Sequence, residues 1–238
     1  MGSVIIAING INIFTYYIAV LFFIIHFVPI FIFRNTFTNI VIDTISLGLS
    51  KDVLNKIKYL LLCVVLFGAC DAGFSSLFPS YLLEESFNDK QIGRINFFAG
   101  SLALFFYPLM GKLVDNYNRT IIFNTFCFIN LFNLIILYSI SDFYIYIICV
   151  AFYYYTIGTI FLIAFNLLGK ILSGGAITFG IAGHYISESI GSFLGPNLIG
   201  NIISININYF FLIFLILYIL IIGVFNFNQF KNGGLSGT

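Results

Sequence analysis

Residues 143–168 read FYIYIICVAFYYYTIGTIFLIAFNLL, a run with no charged side chain from end to end. A helix needs ~20 apolar residues to cross ~30 Å of hydrocarbon, so this run alone is long enough to span a bilayer. Segments 11–33, 58–83, 91–111, 121–140, 176–204 and 208–228 reach that length too. They are continuous apolar runs, not short alternating strands, which disfavours a β-barrel. Backbone groups in lipid must be satisfied within the segment, so the reading is all-α: a multi-pass transmembrane helical bundle of about seven spans. Composition agrees. The 238 residues are 61% hydrophobic and 8% charged, with mean hydropathy +1.07, which excludes a soluble domain with an oily core.

The bilayer is therefore the first partner. A net charge of +1 without a basic patch leaves no case for nucleic acid. Cys63, Cys70, Cys127 and Cys149 all lie inside apolar spans and form no C-x-x-C pair. They read as small packing residues, with neither a disulfide frame nor a metal site. The N-terminus lacks the basic region of a signal peptide, and Ile6 stands where a myristoylation motif wants Ser or Thr.

Loop charge sets an orientation. Apart from Lys90 and Arg94, all of the 10 Lys and Arg residues fall in one set of alternate loops or at the C-terminus. The positive-inside rule puts that set in the cytoplasm, so the N-terminus faces outside or into a lumen and the C-terminus faces the cytoplasm. The chain then divides into a first span within 1–33, a cytoplasmic loop 34–57, a six-helix membrane unit 58–228 and a cytoplasmic tail 229–238. In the loop, Val41, Ile42, Ile45, Leu49, Val53, Leu54 and Ile57 follow an amphipathic pattern and suggest a short helix along the membrane surface.

Between two spans lies a polar island, Gly111-Lys112-Leu113-Val114-Asp115-Asn116-Tyr117-Asn118-Arg119-Thr120. A Gly ending one helix permits a sharp turn, and Asp115 and Arg119 are spaced to pair across it or to brace neighbouring helix ends. Gly111, Leu113, Asp115 and Arg119 fit the G-x-L-x-D-x-x-G-R pattern, with Asn118 in place of its second Gly. The island thus resembles the loop between helices two and three, and again between eight and nine, of the major facilitator superfamily of secondary transporters. In the sixth span, Gly191-Ser192-Phe193-Leu194-Gly195-Pro196-Asn197-Leu198-Ile199-Gly200 resembles the G-x-x-x-G-P-x-x-G-G motif of proton-driven antiporters, with Ile199 replacing one Gly. Vesicular amine transporters carry a similar Gly-Pro segment in helix eleven. Physically, Gly191, Gly195 and Gly200 let a neighbouring helix approach, and Pro196 frees a carbonyl and bends its own helix. Pro79-Ser80-Tyr81-Leu82-Leu83-Glu84 is like the helix-seven exit of the same transporters, and Gln91-Ile92-Gly93 opens the next helix.

An internal repeat fixes the register of that resemblance. Ile5-Ile6-Ala7-Ile8-Asn9 leads into a span ending Phe31-Ile32-Phe33, and Ile202-Ile203-Ser204-Ile205-Asn206 leads into one ending Phe225-Asn226-Phe227. In the major facilitator fold, the tail of helix five plus helix six is related by pseudo-symmetry to the tail of helix eleven plus helix twelve. On that mapping the spans are helices six to twelve, half of the fold, and 34–57 is the loop between halves. One half cannot enclose a midplane site. A missing N-terminal half or a second half-transporter is then an expected partner, with a small-molecule substrate and protons. The competing register, with the later spans as helices one to six, leaves the first span and the outward N-terminus unexplained.

Ionisable groups deep in a span are costly and mark candidate sites. Asp71 sits between Gly68, Ala69, Ala72 and Gly73, where a carboxylate suits proton coupling or pairing with a cationic substrate. His184 and Glu188 are one turn apart on one helix face and can relay protons or bind a cation. His26 reads as packing or interfacial, and Asn124, Asn130 and Asn133 as interhelical hydrogen-bond glue. Tyr153-Tyr154-Tyr155 either lines a cavity that stacks an organic cation or reflects an Ile-, Phe-, Asn- and Tyr-rich composition. With no nucleophile–base triad, phosphate loop or ligand cluster, no enzyme activity, cofactor or metal is expected.

The functional expectation is proton-coupled transport of a small solute by alternating access, with Gly111, Asp115 and Arg119 in the conformational switch. A seven-span receptor has the same terminal orientation, yet the third span ends Gly-Lys-Leu-Val-Asp without an acidic-Arg-Tyr run, and the seventh has no Pro. A transport-inactive superfamily member with a regulatory role is the other alternative.

Overall fold

The computed structural model describes residues 51–231, which form six helices and no strand. They are α1 Lys51–Glu84, α2 Asp89–Asn116, α3 Arg119–Ser139, α4 Phe143–Ile171, α5 Gly175–Ile203 and α6 Tyr209–Lys231. The first span, His26, the first copy of the repeat, residues 34–50 of the basic loop and the tail from 232 lie outside the described residues.

Helix starts follow local chemistry. Asn88 caps α2 through a capping box: its Oδ1 accepts from Gln91 N, and Gln91 Oε1 accepts from Asn88 N, both at 3.0 Å. Asp142 caps α4 by accepting from Tyr144 N and Ile145 N. Asn118 does the same for α3, accepting from Thr120 N at 2.9 Å and Ile121 N at 3.4 Å. Gly174, at φ +57°, opens α5 without a side-chain cap.

Two boundaries differ from the sequence reading. Residues 51–57 do not form a separate surface helix but the first turns of α1, with Ile57 buried and Leu54 exposed. Gly111 does not end α2, which runs on to Asn116 and leaves a turn of Tyr117 and Asn118. The cause is downstream packing: Val114 is buried and Leu113 packs against the core, so the last turns stay helical despite the Gly.

All helices but α5 are long and apolar enough to cross a membrane, 5 candidate spans in the described part. α5 has the length, but Gly, Ser and Asn lower its hydropathy. These are the features of a multi-pass integral membrane protein, a helical bundle.

The bundle is organised by two principal pairings, α1 with α5 and α2 with α4, while α3 and α6 pack outside them on α4 and α1. At the centre of the core, Phe74 stacks on Tyr153 at 4.0 Å and on Phe78 at 4.6 Å, with Phe214 edge-on. Without a hydrophobic force between helices in lipid, polar links matter. Asn130 donates to Tyr218 Oη at 2.8 Å, and Asn133 to the Cys149 carbonyl at 2.7 Å. Asn124 and Asn226 exchange two amide hydrogen bonds of 3.0 Å. All four Cys are buried free thiols.

Candidate functional site: a carboxylate-lined cavity

The site begins with a close approach of backbones. A Cβ added to Gly68 would lie 2.6 Å from the Glu188 carbonyl oxygen. At Gly195 it would lie 2.6 Å from Ala69 Cα, and at Gly191 2.8 Å from Ala69 N. Small residues on both helices therefore let α1 and α5 touch main chain to main chain. Gly200 takes no part in this, since its nearest neighbour is Leu77 Cδ2 at 3.7 Å, an ordinary contact. Pro196 lies within α5, half-buried.

One turn beyond Gly68, this approach brings Asp71 of α1 within electrostatic reach of Glu188 of α5. Both line a cavity of about 760 Å³ whose other walls come from α2 and α4. Ser75, Asn96 and Ser101 add polar groups, and the rings of Phe97, Tyr107, Tyr154 and Phe161 form apolar faces. Tyr154 lies beside Ser75. No Lys, Arg or His is among the lining residues. Ser75, Ser101 and Leu104 are exposed, so the cavity opens outward from the bundle.

The sequence candidates separate here. Asp71 and Glu188 come together; His184, one turn from Glu188, does not join them. Its ring is 3% exposed and packs edge-on against Phe161 and Phe165 of α4, with Nδ1 buried and unpartnered. Phe161 stands between it and the cavity, touching both. The tyrosine run divides as well. Tyr154 lines the cavity, Tyr153 is buried and donates to the Cys70 carbonyl at 3.0 Å, and Tyr155 packs against Phe106 and Phe126.

The α2–α3 turn lies apart from the cavity. No hydrogen bond or ion pair joins Asp115 to Arg119 among the described residues. Asp115 is exposed, and Arg119 holds a buried, unpartnered Nε. Nothing lies within 4 Å of a Cβ built at Gly111.

Tyr107, Asn96, Ser101 and Gly158 were not singled out by their residue types. A periodic signal does mark them: Asn96, Gly100, Ala103 and Tyr107 recur at helical spacing, as do Phe97, Ser101 and Leu104, and Tyr154, Ile157, Gly158 and Phe161. Chemically, an unpaired carboxylate couple beside aromatic faces can hold protons or a cation and has no counter-charge for an anion. Among the described residues, no group of three or more His, Cys, Asp or Glu is placed to hold a metal ion. No family model matches this chain, and no curated protein matches it either.

Proposed function

We propose that the protein is a secondary transporter of small cationic solutes, coupled to protons through Asp71 and Glu188. The observation that carries this reading is the cavity of about 760 Å³ holding two carboxylates and no basic group near the middle of four packed helices. Ionisable groups at such depth mark substrate or proton pathways. Aromatic walls beside them offer cation–π faces to an organic ammonium ion.

The pairing of α1 with α5 and α2 with α4 around the cavity supports a major facilitator half, in which the described helices are seven to twelve. On this reading a second helical half covers the open side, and the two rock about the cavity to give alternating access. Gly111, Asp115 and Arg119 then meet their partners in the other half or in another state of the cycle. The α2–α3 turn and the C-terminus face the cytoplasm.

The test is gradient-driven uptake. Proteoliposomes containing the full chain, in which a second copy supplies the other half, should accumulate the fluorescent cation ethidium when acidic inside and neutral outside. Asp71→Asn and Glu188→Gln should each abolish the uptake while leaving the protein monodisperse. Uptake that persists unchanged in Asp71→Asn would overturn the assignment.

A further inference from the structure

Gly158 of α4 sits against Tyr107 of α2. The three atoms nearest to a Cβ built there all belong to Tyr107 of α2: ring carbons and, at 2.6 Å, the hydroxyl oxygen. Tyr107 thus rests the tip of its phenol against α4, in a seat that exists because residue 158 has no side chain. The Tyr107 side chain is 39% exposed, and no other aromatic ring stacks on it among the described residues.

Its position is strategic. The Tyr107 hydroxyl is within electrostatic reach of Asp71, and both residues line the cavity. Tyr154, one turn before Gly158 on the same helix, forms the adjoining wall beside Ser75. Pro108 follows Tyr107 inside α2 and cannot donate to the Leu104 carbonyl. That missing hydrogen bond places a point of bending next to the ring.

We propose that Tyr107, seated on Gly158, is the specificity-determining residue that sets how large a group can reach Asp71. This rests on the cavity being the ligand site. A methyl group at position 158 meets the far end of a side chain rather than a helix backbone. It should therefore push the phenol into the cavity and leave the α2–α4 packing intact. Enlarging residue 107 should narrow the same passage from the other side, and removing its ring should open it.

Thiol labelling reads the passage directly. Asp71→Cys puts the reactive group at the half-buried position in question, with Glu188 still in the cavity wall, and the unsubstituted chain, whose four Cys are buried, gives the background. The probes are 2-aminoethyl methanethiosulfonate and its bulkier trimethylammonium analogue, applied to the full chain in lipid nanodiscs. Adding Gly158→Ala should slow the bulky probe by about tenfold or more and the small one by less than about threefold, the scale of one methylene in a fitted pocket. Tyr107→Trp, with Gly158 intact, should give the same size-dependent slowing. Tyr107→Ala should speed the bulky probe and make Gly158→Ala neutral. Equal slowing of both probes, or a Gly158→Ala effect that survives Tyr107→Ala, would overturn the proposal. A third probe separates this from the charge reading. If the anionic sulfonatoethyl reagent labels as fast as the cationic ones, the cationic assignment fails while the size test still stands.

Discussion

Replacing Gly195 by Ala should destabilise the bundle through one contact. The new Cβ would sit 2.6 Å from Ala69 Cα and 2.8 Å from the Ala69 carbonyl carbon. Carbon atoms prefer about 3.5–4.0 Å, so each contact falls short by roughly 1 Å. The obstacle is the α1 main chain, which cannot rotate aside as a side chain would. α5 must retreat, loosening the contacts of Gly191 with Val65 and Ala69 and of Gly68 with Glu188. Overpacking of this kind costs about 1–3 kcal/mol. The better helix propensity of Ala returns about 0.8–1 kcal/mol. The balance is a net loss of up to roughly 2 kcal/mol, or a fall of up to about 8 °C in Tm at roughly 2–4 °C per kcal/mol for a chain of this size. A maleimide dye that fluoresces on reaction with thiols suits the measurement, because Cys63, Cys70, Cys127 and Cys149 become reactive only as the bundle opens. Gly200→Ala is the matched control on the same helix, where Leu77 Cδ2 at 3.7 Å leaves room for a methyl group. It should hold or raise the Tm. A Gly195→Ala protein as stable as the Gly200→Ala protein would refute main-chain contact between α1 and α5.

Asn118 heads the N-x-Ser/Thr sequence Asn118-Arg119-Thr120, yet its side chain caps α3 and the turn is only two residues long. Protein made in microsomes should carry no N-glycan at Asn118 and keep its gel mobility after endoglycosidase; a glycan there would invert the topology. Asn124 and Asn226 form a closed amide pair between α3 and α6, so leucine at both should cost less than the sum of the single changes. The coupling should be about 0.6–1.7 kcal/mol in a double-mutant cycle of unfolding midpoints, and additive losses would show that the pair contributes nothing jointly.

The helices of this protein were legible in its sequence because lipid enforces a local rule. A run such as 143–168 must satisfy its own backbone wherever its neighbours lie, so α3, α4 and α6 begin and end close to the apolar limits, and α2 begins close to its own. Caps at Asn88, Asn118 and Asp142 sharpen those limits with side chains two or three residues from the groups they bind. Gly111 was misleading for a related reason: its freedom to end a helix is local, but the burial of Val114 that keeps α2 going depends on neighbouring helices. The candidate site divides the same way. Asp71 and Glu188 are conspicuous by charge alone, but 117 positions separate them, and only the glycine-mediated approach of α1 to α5 brings them to one cavity. His184 and Glu188 share a face of α5 and still part company, because the ~6 Å of rise between them sets one ring against Phe161 and Phe165 and the other side chain at the cavity. Tyr107 and Gly158 carry no chemistry that a linear reading would select. Their meeting depends on how closely α2 and α4 pack, and that distance is a property of the assembled bundle.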